Sequence, residues 1–452
     1  MIIDTLFIIL WILLLVYWFY MLRICHLSVF RFTIPSFVFI AFLVYQYIGL
    51  PILYFMLNDY RAEFVTDQEL IWQVFIFTSI TITLMLVGFI FAKIKFGPLS
   101  LMMNDFQNNN NKKRFAAIFR IRKLNLGIFV FGLISASVLV LYLSKIGHIA
   151  LFTVLGFDKS VSSGFARSAM GNDFAGKYHW YKVFMNDTLV FLNLVAFANY
   201  LKTKNYRDFS LFLALFLLAC FVMTMAIEKG PIMWFLISLF LVFIVLRKDG
   251  AFTIKSIVNL SLFLVVIIAL MYVYFMGSDS FLKAIGHALG RLFTGQIQPA
   301  YHYLEYFKEH DFLMGRTFPN PRGIFPFESI RLTVDIMNWV HPELVEKGVV
   351  GSMPTVFWGE MYANFGVIGV FLPPFFIGFI LYLVNVILMR LISSPLTVGL
   401  FVWIAVHLKD IAGTSLSQYL LDHYLFIVVS VFLTLYAFTN NSKIRYRKKV
   451  AF

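Results

Sequence analysis

Charge is the scarcest property of this chain of 452 residues. Only 13% of its residues are Asp, Glu, Lys or Arg, against roughly 25% in an ordinary soluble domain. At 61% hydrophobic, with a mean hydropathy of +0.84, the chain has too much apolar surface to enclose in a soluble core. It reads as a polytopic membrane protein. Cysteine is nearly absent too: Cys25 and Cys220 lie in or beside apolar segments and exclude a disulfide framework or a thiolate metal cluster. There is no Walker loop, HExxH, CxxC or Rossmann glycine fingerprint, so ATP hydrolysis and zinc chemistry are not expected and no cofactor or metal is indicated. A DxD motif that would hold a nucleotide sugar through a metal is also missing.

What is present is a series of apolar segments, at about 4–22, 34–57, 70–92, 125–146, 182–201, 209–227, 231–246, 256–276, 367–390, 397–412 and 419–439. A span needs about 20 apolar residues, and lipid cannot satisfy open backbone. The expectation is therefore an all-α protein with about eleven transmembrane helices. The first segment has no basic region before it, and Arg23 and Arg31 follow it, so it reads as a span with its N-terminus outside and not as a cleavable signal. Loops rich in Lys and Arg alternate with acidic or mixed ones. The basic set carries Lys93 and Lys95, Lys112 to Lys123, Lys202 to Arg207, Arg247 to Lys255, Arg390, and a C-terminal run from Lys443 to Lys449. The positive-inside rule makes those loops cytoplasmic and places the C-terminus there. The net charge of +14 belongs to them and does not point to nucleic acid. The tract Asn108 to Asn111 reads as a flexible linker.

The single membrane domain, residues 1–452, then carries two external loops, 147–181 and 277–366. The second is too long to be structureless. Its Ala284–Leu292 and Ala300–His310 stretches read as helices lying along the membrane surface.

Several features can carry chemistry. External loops are normally poor in cations, yet Arg167, Lys229, Arg291, Arg316, Arg322 and Arg331 fall in them. Arginine forks match phosphate oxygens, and lysine supplies a point charge. The other reading is a neutral solvated loop in which nearby acids balance these cations. Ile227-Glu228-Lys229-Gly230-Pro231 joins two apolar segments with almost no loop. Its helix start offers an anion site, or it is a tight turn in which Glu228 and Lys229 balance. Thr66-Asp67-Gln68-Glu69 reads as a capping box, with the Thr66 hydroxyl as cap. His407, Lys409, Asp410, Asp422 and His423 are ionisable residues near span ends, either functional or paired with one another to lock helices. His287 shares a helix face with Arg291, and His302 precedes Glu305 on the next predicted helix. The stretch Gly351 to Pro374 leads into a span, yet places Glu360 and Asn364 just before it, beside Trp358 and Tyr362.

The run Pro354-Thr355-Val356-Phe357-Trp358-Gly359-Glu360-Met361-Tyr362-Ala363-Asn364-Phe365-Gly366 resembles the C-terminal signature of bacterial O-antigen polymerases, the Wzy-type polymerases of oligosaccharide repeat units. Phe318-Pro319-Asn320-Pro321-Arg322-Gly323-Ile324-Phe325-Pro326 resembles the proline- and arginine-bearing part of their large external loop. Ile227 to Pro231 resembles their Gly/Ser-Arg-Gly turn, with Lys229 where arginine is usual. The hydropathy layout is similar over the whole chain, whereas the motifs cover only these three places. No Arg is followed eleven residues later by Gly in the two external loops, a pattern some members carry.

The resemblance implies a multi-pass protein of the bacterial inner membrane whose active face is periplasmic. Such an enzyme transfers a growing glycan from undecaprenyl diphosphate onto the sugar of an incoming lipid-linked repeat unit. Its partners would be the undecaprenyl-diphosphate-linked oligosaccharide, membrane lipids and a chain-length regulator protein. The six cations are then candidates to hold the leaving diphosphate as charge builds on it. Glu360 is the candidate general base, or the residue orienting the acceptor hydroxyl, with its pKa raised by burial at the membrane edge. Trp358, Tyr362, Asn364 and His302 are candidates to line a sugar subsite. An O-antigen ligase delivering glycan to the lipid A core shares this donor and layout. A lipid-linked oligosaccharide flippase would instead place charge at mid-span, where this chain has little. A scaffold for polysaccharide export would need no single arginine or glutamate.

Overall fold

The computed structural model describes residues 2–57, 64–99, 117–171, 174, 176–276, 281–346, 351–392 and 394–440, excepting the side chains of 117–121, 275, 276 and 344. The Asn108–Asn111 tract, the cations from Lys112 to Arg114, Lys347 and the C-terminal basic run lie outside the described residues.

Among the described residues the protein is all-helical, with no strand. Eleven helical segments are long and apolar enough to cross a bilayer, as the hydropathy pattern predicts. They are Ile2–Ile24, Ile34–Tyr54, Gln68–Phe96, Arg122–Leu143, Tyr178–Thr203, Tyr206–Thr224, Lys229–Arg247, Ile254–Tyr274, Val367–Leu391, Pro395–Ala412 and Leu416–Asn440. Large apolar side chains stay exposed on them, such as Val16, Val140 and Leu262 at 62%, 65% and 64%. Lipid contact explains these chains, since acyl tails solvate Leu and Val as well as a core does.

The chain falls into two compact units where the sequence suggests a single domain. One comprises Met1–Met102, Leu282–Ile387 and His407–Asp422, and the other the remaining segments. In the first unit, polar pairs tie the apolar helices together. Trp18 Nε1 donates to Thr83 Oγ1 at 2.9 Å, Tyr47 Oη donates to the Trp11 carbonyl at 2.7 Å, and the Ile34 amide donates to Asn385 Oδ1 at 2.8 Å. The second span includes a π-helical turn, Leu43–Tyr47, within which Gln46 is fully buried. Thr33 caps this span by accepting from the Ser36 amide at 3.2 Å.

The third span is capped one residue later than the capping-box pattern suggests. Asp67, not Thr66, is the cap: its Oδ1 accepts from the Glu69 amide at 2.8 Å. Lys308 then pairs with Asp67 at 3.0 Å. A second charge partner makes the carboxylate the better cap at the positive end of the helix dipole.

The second unit packs its helices around buried polar groups as well. Asp208 is 3% exposed and accepts hydrogen bonds from Asn125 and Thr203, while Asn199 donates to Asn125 at 2.9 Å. The loop from 147 to 181 is mostly short helix, with Ala150–Val154 and Ser163–Met170 preceding the fifth span. Helices form at the two predicted stretches of the larger loop, as Phe281–Phe293 and Gln298–Tyr306, but the second is buried from 298 to 304 and does not lie on a surface, and the chain unwinds before His310. Three more short helices follow: Leu332–Val340, Pro342–Glu346 and Phe357–Phe365.

Glycine decides how closely the third and ninth spans approach. A Cβ on Gly378 would sit 2.1 Å from the Met85 carbonyl oxygen, and one on Gly88 would sit 2.2 Å from that of Phe375. Small residues permit such backbone contact between spans. Replacing Gly378 by leucine is expected to force these helices apart, at a cost of about 1–3 kcal/mol or more. The measurement is thermal unfolding in detergent. A variant melting with the wild type would exclude this close crossing.

Candidate functional site

The short helix Phe357–Phe365 is the centre of the site. It is buried nearly all round, with Phe357, Trp358, Gly359, Glu360, Met361, Ala363 and Asn364 inside. It stops at Gly366, whose φ of +60° suits glycine and whose amide donates to the Tyr362 carbonyl at 2.7 Å.

Glu360 is 2% exposed. Its Oε2 accepts from the Ser417 amide at 3.1 Å, at the first turn of the 3-10 helix Leu416–Tyr419. Burial pushes its pKa up, while hydrogen bonds from Ser417, Thr317 and Leu416 pull it down. The carboxylate is therefore committed to two other segments of the same unit.

Asn364 is fully buried and equally committed. Its Oδ1 accepts from the Gly315 amide at 2.9 Å. Its Nδ2 donates to Thr317 Oγ1 at 2.8 Å and to the Glu360 carbonyl at 2.9 Å. The Leu313 and Met314 amides donate to the Ala363 and Asn364 carbonyls, both at 3.0 Å. The end of the helix thus grips residues 313–317, the root of the arginine-bearing loop. Phe318 and Phe365 continue the contact, with ring centroids 5.9 Å apart.

That loop closes on itself. The Ile330 amide donates to the Arg316 carbonyl at 2.9 Å, and Ser329 Oγ to the Phe318 carbonyl at 2.9 Å. Asn320 bonds across the tip, to the Phe325 carbonyl at 3.0 Å and to that of Phe327. Arg316 and Arg331 flank the closed neck, and Arg322 sits at the tip with φ +59°. All three are exposed. Arg291, on the helix Phe281–Phe293, is exposed as well. None of these four arginines makes an ion pair among the described residues.

The six candidate cations do not form one cluster within a unit. Arg167 and Lys229 belong to the second unit. Arg167 lies 3.8 Å from Glu228, and Lys229 Nζ stands 3.9 Å from the Tyr272 ring centroid, a cation–π contact. Glu228 is thus balanced by Arg167.

Three of the four candidate sugar-subsite residues lie inside the protein. Trp358 and Asn364 are fully buried and His302 is 1% exposed. The Trp358 ring packs against Phe77 at 5.7 Å. His302 Nδ1 lies 3.4 Å from Glu305 Oε2, and its Nε2 is buried without a partner. Burial pushes the His302 pKa down to about 4. Tyr362 alone is partly exposed, with its ring near Phe77 and Phe312. The sequence pattern marks these residues as special but does not show which way they face. The Glu360 carboxylate likewise faces a protein amide, that of Ser417.

The ionisable residues near 407–422 do pair. His407 Nε2 lies 2.5 Å from Asp422 Oδ2, and Lys409 meets Asp410. The signal for this is Gly413-Thr414-Ser415 followed by Ser417, turn formers between two apolar segments. There the helix Pro395–Leu408 stops and folds back through two 3-10 turns.

No protein-family model matches the chain, and no curated protein and no solved structure is similar to it.

Two outcomes test the site's construction. His302 buried as a neutral ring has a folded pKa below its unfolded value of about 6.5. Its stability contribution is complete above pH 6.5 and erodes as pH falls toward 4. Thermal unfolding from pH 7.5 to 4.5 should show wild type losing more than His302→Gln, by on the order of a few kcal/mol at the acid end. Parallel curves would mean the ring protonates freely. Glu360→Gln keeps an acceptor oxygen for the Ser417 amide and should hold most of the structure. Glu360→Ala leaves the amides orphaned and should cost roughly 1–3 kcal/mol. Equal unfolding midpoints would show the bond is immaterial.

Proposed function

We propose that this protein polymerises lipid-linked oligosaccharide repeat units. It would transfer a growing glycan from undecaprenyl diphosphate onto the sugar of an incoming unit, at the periplasmic face of a bacterial inner membrane. One observation carries this reading. The two segments that resemble polymerase motifs, Phe318–Pro326 and Pro354–Gly366, are separated in sequence but meet at the Phe318–Phe365 contact, and Asn364 bonds Gly315 and Thr317 just before the first of them. The join leaves Arg316, Arg322 and Arg331 exposed, with no ion pair among the described residues.

A diphosphate leaving group needs cations where its charge develops. Arg316, Arg322 and Arg331 are the primary set in this proposal, with Arg291 as a further member of the same unit. A membrane-embedded body with a cation-bearing irregular segment suits a substrate with an isoprenoid tail and a charged head. Tyr362 offers an aromatic surface to a sugar. The loops rich in Lys and Arg support a cytoplasmic C-terminus. A chain-length regulator would be an additional partner.

The test is the surface-glycan gel profile of a deletion strain, complemented by wild type or by an Arg316→Ala, Arg322→Ala, Arg331→Ala triple variant. Single repeats on the core in the deletion and a ladder restored by wild type support polymerisation. The triple variant should lose the ladder while its membrane abundance stays normal, and single variants should lose about tenfold or more in activity. A ladder that accumulates on the lipid carrier without reaching the core would make the protein a ligase. Repeat units trapped on the cytoplasmic side would make it a flippase.

A further inference from the structure

We infer that His407 is the general base of the transfer reaction and that Asp422 is its positioning carboxylate, an inference that rests on the polymerase reading above. The two residues are 15 positions apart and meet only because the chain reverses between them. Their pairing has the asymmetry of a proton-accepting dyad. The Asp422 side chain is 6% exposed, whereas that of His407 is 16% exposed. The carboxylate stands behind the ring, and the ring keeps the more open position. An aspartate so placed fixes the tautomer and orientation of imidazole and stabilises imidazolium when it forms.

The ring is held from a second direction. Tyr419 Oη donates to the His407 carbonyl at 3.1 Å, and its ring meets the imidazole edge-on at 5.6 Å. Lys409 and Asp410 follow His407 in the chain and pair with each other, and Thr414 Oγ1 donates to the Asp410 carbonyl at 2.9 Å. Among the described residues, Asp422 and Tyr419 meet the ring, Lys409 and Asp410 follow it in the chain, and Glu360 bonds the Ser417 amide two residues before Tyr419. Ionisable groups at membrane depth are costly to place and are candidates for function by default.

This arrangement gives Glu360 a positioning role. Its carboxylate holds the Ser417 amide, at the centre of the reversal that delivers Tyr419 and Asp422 to His407. The buried carboxylate of the signature helix thus reaches the reaction through the dyad.

In the step, the acceptor sugar hydroxyl gives its proton to the His407 imidazole. Its oxygen forms the new bond to C1 of the donor glycan. The bond from C1 to the phosphate oxygen breaks, and its electron pair leaves with the lipid diphosphate. The proton on imidazolium is released to solvent, so atoms and charge balance.

The experiment uses the full-length protein in detergent with lipid-linked repeat unit extracted from the deletion strain. It follows polymer formation against pH for wild type, His407→Gln, Asp422→Asn and Asp422→Glu. His407→Gln should lose about 100-fold or more in rate. The pH profile of wild type supplies the reference acid limb. Asp422→Asn removes the carboxylate that orients the ring, so its maximal rate should fall and its acid limb should be displaced from that of wild type. Full activity with an unmoved limb in folded His407→Gln and Asp422→Asn would overturn the dyad while leaving the polymerase reading intact. If His407→Gln does not fold, Asp422→Glu decides, since it keeps the charge but displaces it. A displaced limb supports the dyad and an unchanged profile overturns it. No polymer from wild type would overturn the functional reading and the dyad together.

Discussion

Backbone amides that leave a helix inside an apolar protein must find acceptors within that protein, because lipid offers none. Two buried side chains on one short helix meet that demand for two separate irregular segments. Asn364 receives the Gly315 amide and donates to Thr317, while Glu360 receives the Ser417 amide. Each bond contributes only about 1 kcal/mol net, but leaving either amide unsatisfied costs more. The arginine-bearing loop and the chain reversal at 413–422 therefore hold their shape only while the helix Phe357–Phe365 stays in place. The helix in turn is fixed by burial of nearly every side chain it carries.

This dependence explains why charged and polar residues of the signature segment lie inside the protein. The Glu360 carboxylate, at 2% exposure, is available to backbone that has no water to turn to. Its charge is disfavoured by burial and restored in part by the hydrogen bonds it receives. The exposed part of the site is left to long side chains. Arginine suits that task, since its stem packs along apolar surface while the guanidinium stays outside. The same division recurs at 407–422, where Asp422 lies inside and His407 is the more open partner.

The second unit solves its own polar problem differently. Asp208 bonds Asn125 and Thr203, Asn199 bonds Asn125, and Arg167 and Lys229 are occupied by Glu228 and Tyr272. Arg167 and Lys229 thus have partners, whereas Arg316, Arg322 and Arg331 of the first unit make no ion pair among the described residues. A set of equivalent external cations, as the loops suggest when read in one dimension, becomes two sets with different surroundings.

Hydropathy alone determined the eleven helical segments, because each must close its own backbone hydrogen bonds and expose apolar side chains to lipid. Composition likewise marked Glu360, Asn364, the loop arginines and the 407–422 residues as out of place in so apolar a chain. Which way those residues face was decided by tertiary structure. Trp358 and Asn364 turned inward because the helix Phe357–Phe365 is packed on most of its sides, and His302 because its own helix is buried from 298 to 304. The cap of the third span moved to Asp67 because Lys308, 241 positions away, lies beside it. His407 met Asp422 because the helix stops at Leu408 and reverses through turns that Glu360 secures. Partners so distant in sequence leave no periodic trace in it, so only the folded chain could pair them.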